Sequence, residues 1–442
     1  MNADLRSLPG LLERAIAAAS EKLAGVPRGS VASLCVALPA DALASAPRPR
    51  GAYRWIAPAR ELALYAAGEA LRGDREQLDD LCGPRSAWRI IGNARQAVPL
   101  AFFTLPPATE RQSTSFVVPS VLFRREGGEA GAVLTARFDG QALSDIAREW
   151  LELAAAMLSG APANAAASFE SRLAEPEMDI WRERVERTTA AIRAGRFDKA
   201  VLARRLELSL AEAVDPLVLA DRLAEAHAGS NIFSFPYRGG FVVAASPERL
   251  AAKADRRMAS DALAGTTRHA GIAPEDEAAD AALVASAKER REHRIVVDAI
   301  AAALGDLCDS VERPEAPELM HLARVTHLWT PLAGQLKPEV GLLDVVERLH
   351  PTPAVSGFPR QAALDWLKAL GEARDGLYSG VAGWIDRKGD GEAAVVLRGA
   401  YLDGRQASLW AGAGIMAESD PDAEWAETEM KLATMLDFLE AK

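Results

Sequence analysis

From residue 179 onward the apolar positions change period several times. Over 181–194 they recur at helical spacing and stop at Gly195, which predicts a helix. Over 197–210 they alternate. Leu202, Leu206, Leu208 and Leu210 share one face, and Lys199, Val201 and Ala203 share the other, as in a strand. Two alternating runs, 233–237 and 241–245, flank Arg238-Gly239-Gly240 and predict a hairpin. A helical pattern extends over about 275–304. Three runs, 381–385, 393–402 and 406–415, are joined by Gly389-Asp390-Gly391 and Asp403-Gly404, so they read as consecutive antiparallel strands. A last helix follows Asp420-Pro421, with Asp420 suited to the N-cap and Pro421 to the first helical position.

Upstream, to about residue 172, short apolar runs are broken by prolines, as in Ala46-Pro47-Arg48-Pro49-Arg50. The stretch 151–168 starts as a helix and dissolves at Gly160-Ala161-Pro162, which predicts a linker. The chain is therefore divided into a variable portion, 1–172, and a region that carries the chemistry, 173–442. Antiparallel strands interleaved with helices argue for an α+β fold.

Composition narrows the function. Hydrophobic residues make up 49% and charged residues 26% of the 442 positions, which is ordinary for a soluble globular protein. Basic residues number 51 against 62 acidic ones, a net charge of −11 that disfavours nucleic acid and anionic membranes as partners. Cys35, Cys82 and Cys308 are too scattered for a disulfide framework or a zinc cluster and suit a reducing cytoplasm. No signal peptide and no membrane span is expected.

The candidate chemistry is carboxylate-rich. On the 275–304 helix, Glu289 and Glu292 fall on the side of Ala285, Val296 and Ile300, while Arg290, Arg291, Arg294 and Asp298 fall on the other. The pair reads either as the solvated edge of an amphipathic helix or as carboxylates facing the core, where they need a cation. On the last helix Glu424, Glu427 and Lys431 share one stripe, either as surface decoration or as a second carboxylate pair. Two pairs of hard oxygen ligands without His or Cys suit Mg²⁺. Gly412-Ala413-Gly414-Ile415-Met416-Ala417 matches a loose dinucleotide pattern. Its helix starts too late and its strands form a meander, so the glycines instead let the backbone approach a ligand.

Nine stretches, in order over about 260 residues, resemble one family. They are FDKAVLARR (197–205), AASPERL (244–250), LAGTTR (263–268), AKERREHRIVV (287–297), HLWTPLAGQL (327–336), LHPTPAVSGFPR (349–360), GLYSGVAGW (376–384), VVLRGAYL (395–402) and AGAGIMAESDPDAEWAETEMKL (411–432). The family is the chorismate-utilising enzymes, and among them the chain is most similar to isochorismate synthases. The resemblance implies two facing antiparallel β-sheets flanked by helices, with chorismate bound in a cleft between them through its ring carboxylate on Mg²⁺. Glu292 and Glu427 match the principal metal ligands, and Glu289 and Glu424 stand one turn before them, acting directly or through water.

The same resemblance assigns roles to single residues. Lys199 matches the general base of members that add water at ring C2. Water needs a positioned base whereas ammonia does not, and that lysine must be neutral when it acts. Glu248 matches the general acid for the departing C4 hydroxyl and must be held protonated. Taken alone, Lys199 reads as an exposed strand lysine and Glu248 as a loop carboxylate. Arg398 and Lys431 match positions that grip substrate carboxylates. Gly265, Thr266, Gly412 and Ala413 match backbone or hydroxyl donors. His327 matches a position near the ring, either packed or catalytic.

Ala264 stands where aminodeoxychorismate synthases carry a nucleophilic lysine. Val355 stands where salicylate synthases tend to have threonine, which favours release of isochorismate. Tyr378 points the other way, toward a salicylate synthase. The reading is an Mg²⁺-dependent isochorismate synthase feeding menaquinone, siderophore or salicylate biosynthesis, expected as a monomer with no amidotransferase partner. The alternatives are a salicylate synthase and a non-catalytic chorismate-binding protein.

Overall fold

A computed structural model of the chain describes residues 8–43, 48–82, 86, 88–92, 97–110, 113–160, 163–372 and 374–441. Ala46, Pro47, Ala161 and Pro162, parts of the expected proline breaks, lie outside the described residues. Among those described, two sheets of thirteen and ten strands lie face to face. Their paired strands are antiparallel except Ser30–Leu38 with Arg89–Gly92.

The alternation read in the sequence builds four layers. In the hairpin Asn231–Tyr237 and Gly240–Ser246, Phe233, Phe235, Val242 and Ala244 point between the sheets, where they meet Phe102, Ala382 and Trp384 of the second sheet. Ile232, Val243 and Ala245 point outward toward Pro216–Ala226, in an outer layer that also holds Leu8–Ala24, Leu143–Leu158 and Pro421–Leu439. The second sheet packs outward on Ala287–Gly305 and Leu342–Leu349. The expected α+β fold of two facing antiparallel sheets flanked by helices is the observed one.

Local signals fixed several elements. Asp420 caps the C-terminal helix, accepting from the Asp422 and Ala423 amides at 3.1 and 2.9 Å, with Pro421 following. Arg238 and Gly239, at φ 47° and 90°, turn the hairpin in the left-handed region.

Two expected elements are each divided. The 275–304 helix breaks into Ala273–Ala285 and Ala287–Gly305 at Ser286, whose hydroxyl accepts from the Glu289 amide at 3.3 Å and starts a new helix. The 393–402 strand is two strands in different sheets. Gly391–Val395 pairs in the second sheet and Gly399–Asp403 in the first, and the chain crosses between the sheets at 396–398. Arg398 sits at that crossing with φ 52°, so an irregular backbone aims its side chain. The expected linker follows the Leu143–Leu158 helix, and Ala167 then forms a bridge with Glu440.

Candidate active site

The crossing opens a cavity beside Arg398. Its wall brings together Glu248, Gly265, Thr266, Glu292, His327, Tyr378, Arg398, Gly412, Glu427 and Lys431, residues spread over some 180 positions of sequence. Lys199 begins the strand Lys199–Leu210 and stands just behind this wall, with Glu292 and Gly414 between it and the open space.

The Lys199 side chain is 1% exposed, and its Nζ lies 2.9 Å from Glu292 Oε1. That contact lacks hydrogen-bond alignment, so the buried Nζ finds no aligned acceptor among the described residues. Glu248 follows the strand Gly240–Ser246 and is 3% exposed. Burial pushes its carboxyl up to about 7, against the Thr352 hydroxyl, which donates to Oε1 at 3.3 Å, and the Lys199 charge. A carboxylic acid that keeps its proton near neutrality can act as a proton donor.

A second part of the wall is cationic. Arg398 is buried, which lowers its guanidinium to about 10 and leaves it charged at neutral pH. Its Nη2 stands 2.9 Å from His327 Nε2. Burial and the Arg398 charge hold that imidazole well below its ordinary value, so it is neutral. With Arg398 donating to Nε2, the proton resides on Nδ1, which faces Gly265 O and Thr266 Oγ1, each at 3.1 Å. The Thr266 hydroxyl faces Glu427 Oε1 at 3.5 Å. Lys431 Nζ donates to Glu427 Oε1 at 2.6 Å and to Gly412 O at 2.8 Å. Tyr378 stacks on Trp410 at 5.5 Å, and burial raises its phenol to about 12, so it stays protonated.

The four glutamates arrive from two helices, with Glu289 and Glu292 on Ala287–Gly305 and Glu424 and Glu427 on Pro421–Leu439. Burial and mutual repulsion raise Glu289, and raise Glu424 to about 7. Glu289 Oε2 accepts from the Thr266 amide at 3.1 Å. Among the described residues no three His, Cys, Asp or Glu groups converge at metal-ligand spacing. Each carboxylate instead leans on a lysine. The chemistry of the set nevertheless fits a hard dication, because four oxygen donors repel one another around a site lined by oxygen ligands.

Comparison with known proteins gives the arrangement its family. A family model described as "Chorismate binding enzyme" matches residues 97–440. The chain belongs to the chorismate-binding enzyme family. It is 38% identical over 280 residues to the salicylate biosynthesis isochorismate synthase of Pseudomonas aeruginosa, covering 63% of this chain and 59% of that protein. It is also 38% identical over 266 residues to isochorismate synthase EntC of Escherichia coli K12, covering 60% and 68%. The chain thus spans less than two thirds of the Pseudomonas protein and just over two thirds of EntC. The fold superposes on the menaquinone-specific isochorismate synthase MenF of Escherichia coli with a TM-score of 0.82 at 24% identity, covering 97% of this chain and 100% of that one.

Within this chorismate-binding enzyme Gly412 and Gly414 line the cavity, while Ala413, matched as a backbone donor, lies between them on the strand. Ala413 pairs with Leu202 across the sheet and shares its face, in a cluster with Trp181, Val185 and Leu367, so its side chain turns away from the cavity. Gly414 pairs with Val201 and faces the site. A Cβ there would collide with Glu292 Oε1 and lie 2.8 Å from Lys199 Cε. The alternation of Lys199 and Val201 against Leu202 already held this signal, but it needed the register. Lys288, which pairs with Glu424 and Glu289, was also missed.

Proposed function

We propose that this chain is a Mg²⁺-dependent isochorismate synthase that converts chorismate to isochorismate. One juxtaposition supports the reading: Glu248, a carboxyl that keeps its proton to about pH 7, lines a cavity whose wall also carries Arg398 and Lys431, and the buried amine of Lys199 stands just behind that wall against Glu292. In the reaction neutral Lys199 takes a proton from water as the water oxygen bonds ring C2. The ring double bonds shift, the C4–O bond breaks, and Glu248 passes its proton to the departing hydroxyl, which leaves as water. Arg398, oriented by neutral His327, and Lys431 hold substrate carboxylates. Mg²⁺, held by Glu292 and Glu427 with Glu289 and Glu424 behind them, would supply positive charge against the ring carboxylate. The product would enter menaquinone or salicylate and siderophore biosynthesis.

Val355 supports release of isochorismate intact: it is 2% exposed, lines the cavity and offers no polar atom to pyruvate elimination. Tyr378 is the observation that favours the second reading, a salicylate synthase, but its protonated phenol is a donor and not a base. Incubating the purified chain with chorismate and Mg²⁺ tests both. Isochorismate without stoichiometric pyruvate is expected, and salicylate with pyruvate as the main products would overturn the proposal. Lys199→Ala is expected to lower turnover at least 100-fold, and Glu292→Gln to raise the Mg²⁺ concentration needed.

A further inference from the structure

Three lysines stand against the four glutamates. Lys199 meets Glu292 at 2.9 Å, and Lys431 meets Glu427 at 2.6 Å. Both belong to the proposed reaction. The third, Lys288, does not line the cavity. It is the second residue of Ala287–Gly305, and its Nζ donates to Glu424 Oε1 at 2.7 Å while lying 3.3 Å from Glu289 Oε1. Its partners are therefore one carboxylate from each helix, and both belong to the outer pair, one turn before Glu292 and Glu427. Glu424 is 2% exposed, so this ion pair is shielded from solvent on one side.

We propose that Lys288 is a built-in counter-ion that withholds Glu289 and Glu424 from direct coordination and thereby sets both the affinity and the size preference of the divalent-cation site. The inference rests on the reading of these glutamates as a Mg²⁺ centre. Two physical consequences follow from an ammonium fixed on the outer pair. A dication held by Glu292 and Glu427 would be repelled by the ammonium fixed on the neighbouring Glu289 and Glu424, and in a partly buried setting like-charge repulsion is worth about one or more factors of ten in affinity. With the outer pair held by Lys288, the two inner carboxylates, paired in turn with Lys199 and Lys431, are the ones left to meet the ion. That number suits Mg²⁺, which keeps several waters, better than Ca²⁺, which collects six to eight oxygens. Lys288 is thus a positioning residue that makes the site weaker and more selective for the smaller ion.

Isothermal titration calorimetry of the full chain without substrate, with Mg²⁺ and Ca²⁺ as separate titrants, tests this. Lys288→Met is expected to bind Mg²⁺ at least tenfold more tightly than the parent and to gain more for Ca²⁺ than for Mg²⁺. Lys288→Arg, which keeps the charge, is expected to stay within threefold of the parent. Affinities for Lys288→Met equal to or weaker than the parent's overturn the proposal. Lys288→Gln serves as the second neutral variant if the methionine form does not melt cooperatively. Glu292→Gln separates this inference from the reading beneath it. If the parent binds no divalent ion, or binds one that Glu292→Gln does not weaken, the Mg²⁺ reading fails and takes this inference with it. If Glu292→Gln abolishes binding while both neutral Lys288 variants match the parent, only the role of Lys288 fails.

Discussion

Glu248 carries a stability cost that its proposed role as a proton donor requires. Its ordinary value is 4.5 and burial raises it to about 7. Below pH 4.5 the folded and unfolded chains both hold this proton. Between 4.5 and 7 the unfolded carboxyl has lost it and the folded one has not, so the unfolded state binds fewer protons and stability falls as pH rises. The full difference is about 3 kcal/mol, reached above pH 7. Glu248→Gln removes the ionisable group and its pH dependence. Urea denaturation is expected to show the variant gaining on the parent from pH 5 to pH 8, while turnover falls at least 100-fold. Parallel pH profiles for the two proteins would contradict a carboxyl held protonated by burial. Gly414 argues at the same scale from space. A methyl group there displaces Glu292 Oε1 and presses on Lys199 Cε. Because misplacing a reacting group by about 1 Å costs on the order of 100-fold, Gly414→Ala is expected to lower kcat by that factor with a melting temperature close to the parent's. A kcat within threefold of the parent would show that the site tolerates the added carbon.

Several wall-forming segments are fastened by one buried ion pair, Glu372 with Arg374, whose side chains are 3% and 4% exposed. Arg374 Nη2 donates to Val201 O at 2.7 Å and to Glu372 Oε1 at 2.7 Å, while Nη1 donates to Val355 O and to Ser379 Oγ, the latter at 3.2 Å. Glu372 Oε2 accepts from the Ala203 amide at 3.2 Å. The pair thus joins the strand Lys199–Leu210 to the loops bearing Val355 and Tyr378. Arg374→Met leaves Glu372 buried without its cation and is expected to cost about 3–5 kcal/mol in urea denaturation. Adding Glu372→Gln is expected to recover part of that loss, since the remaining group is then uncharged. A single variant within 1 kcal/mol of the parent would mean that the tie bears no stability. Nothing in the local pattern announces this pair, because a long-range partner leaves no period in the sequence. The elements that were legible are those set locally: the alternating strands, the Arg238-Gly239 turn and the Asp420-Pro421 helix start. Alternation predicts a strand over 393–402 but does not say which sheet each half joins, so the crossing at Arg398 stayed hidden. The break at Ser286 did leave a signal. Ser286-Ala287-Lys288-Glu289 has the spacing of a capping box, and helical periodicity across the junction masked it. The outer carboxylates and Glu292 were legible as types on a helix stripe, while their lysine partners depended on how the two helices meet each other and the strand Lys199–Leu210.

The residues with proposed chemical roles lie between positions 199 and 431, yet the frame that holds them is drawn from the whole chain. Strand Leu100–Leu105 pairs with Val381–Asp386 in the second sheet, and Tyr53–Ala57 pairs with Asn231–Tyr237 in the first. Between the sheets Trp55 stacks on Phe233 at 5.3 Å and Tyr53 on Phe102 at 5.7 Å. Arg54 reaches Asp221 at 2.6 Å, and Arg60 pairs with buried Glu392. Removing everything before residue 173 would therefore uncover the pairing edges of two central strands and the aromatic layer between them. Open strand edges beside exposed aromatic surface favour association with other chains over folding. A 173–442 fragment is expected to be insoluble, or else soluble with strong binding of a hydrophobic dye and no cooperative melting transition, and to turn over no chorismate. A fragment that melts cooperatively and keeps activity would show that the second half holds its cavity unaided. The cavity's position argues against that outcome. Arg398 is aimed by a crossing between the two sheets, so the geometry around it depends on their spacing, and that spacing is filled by side chains from both halves of the chain.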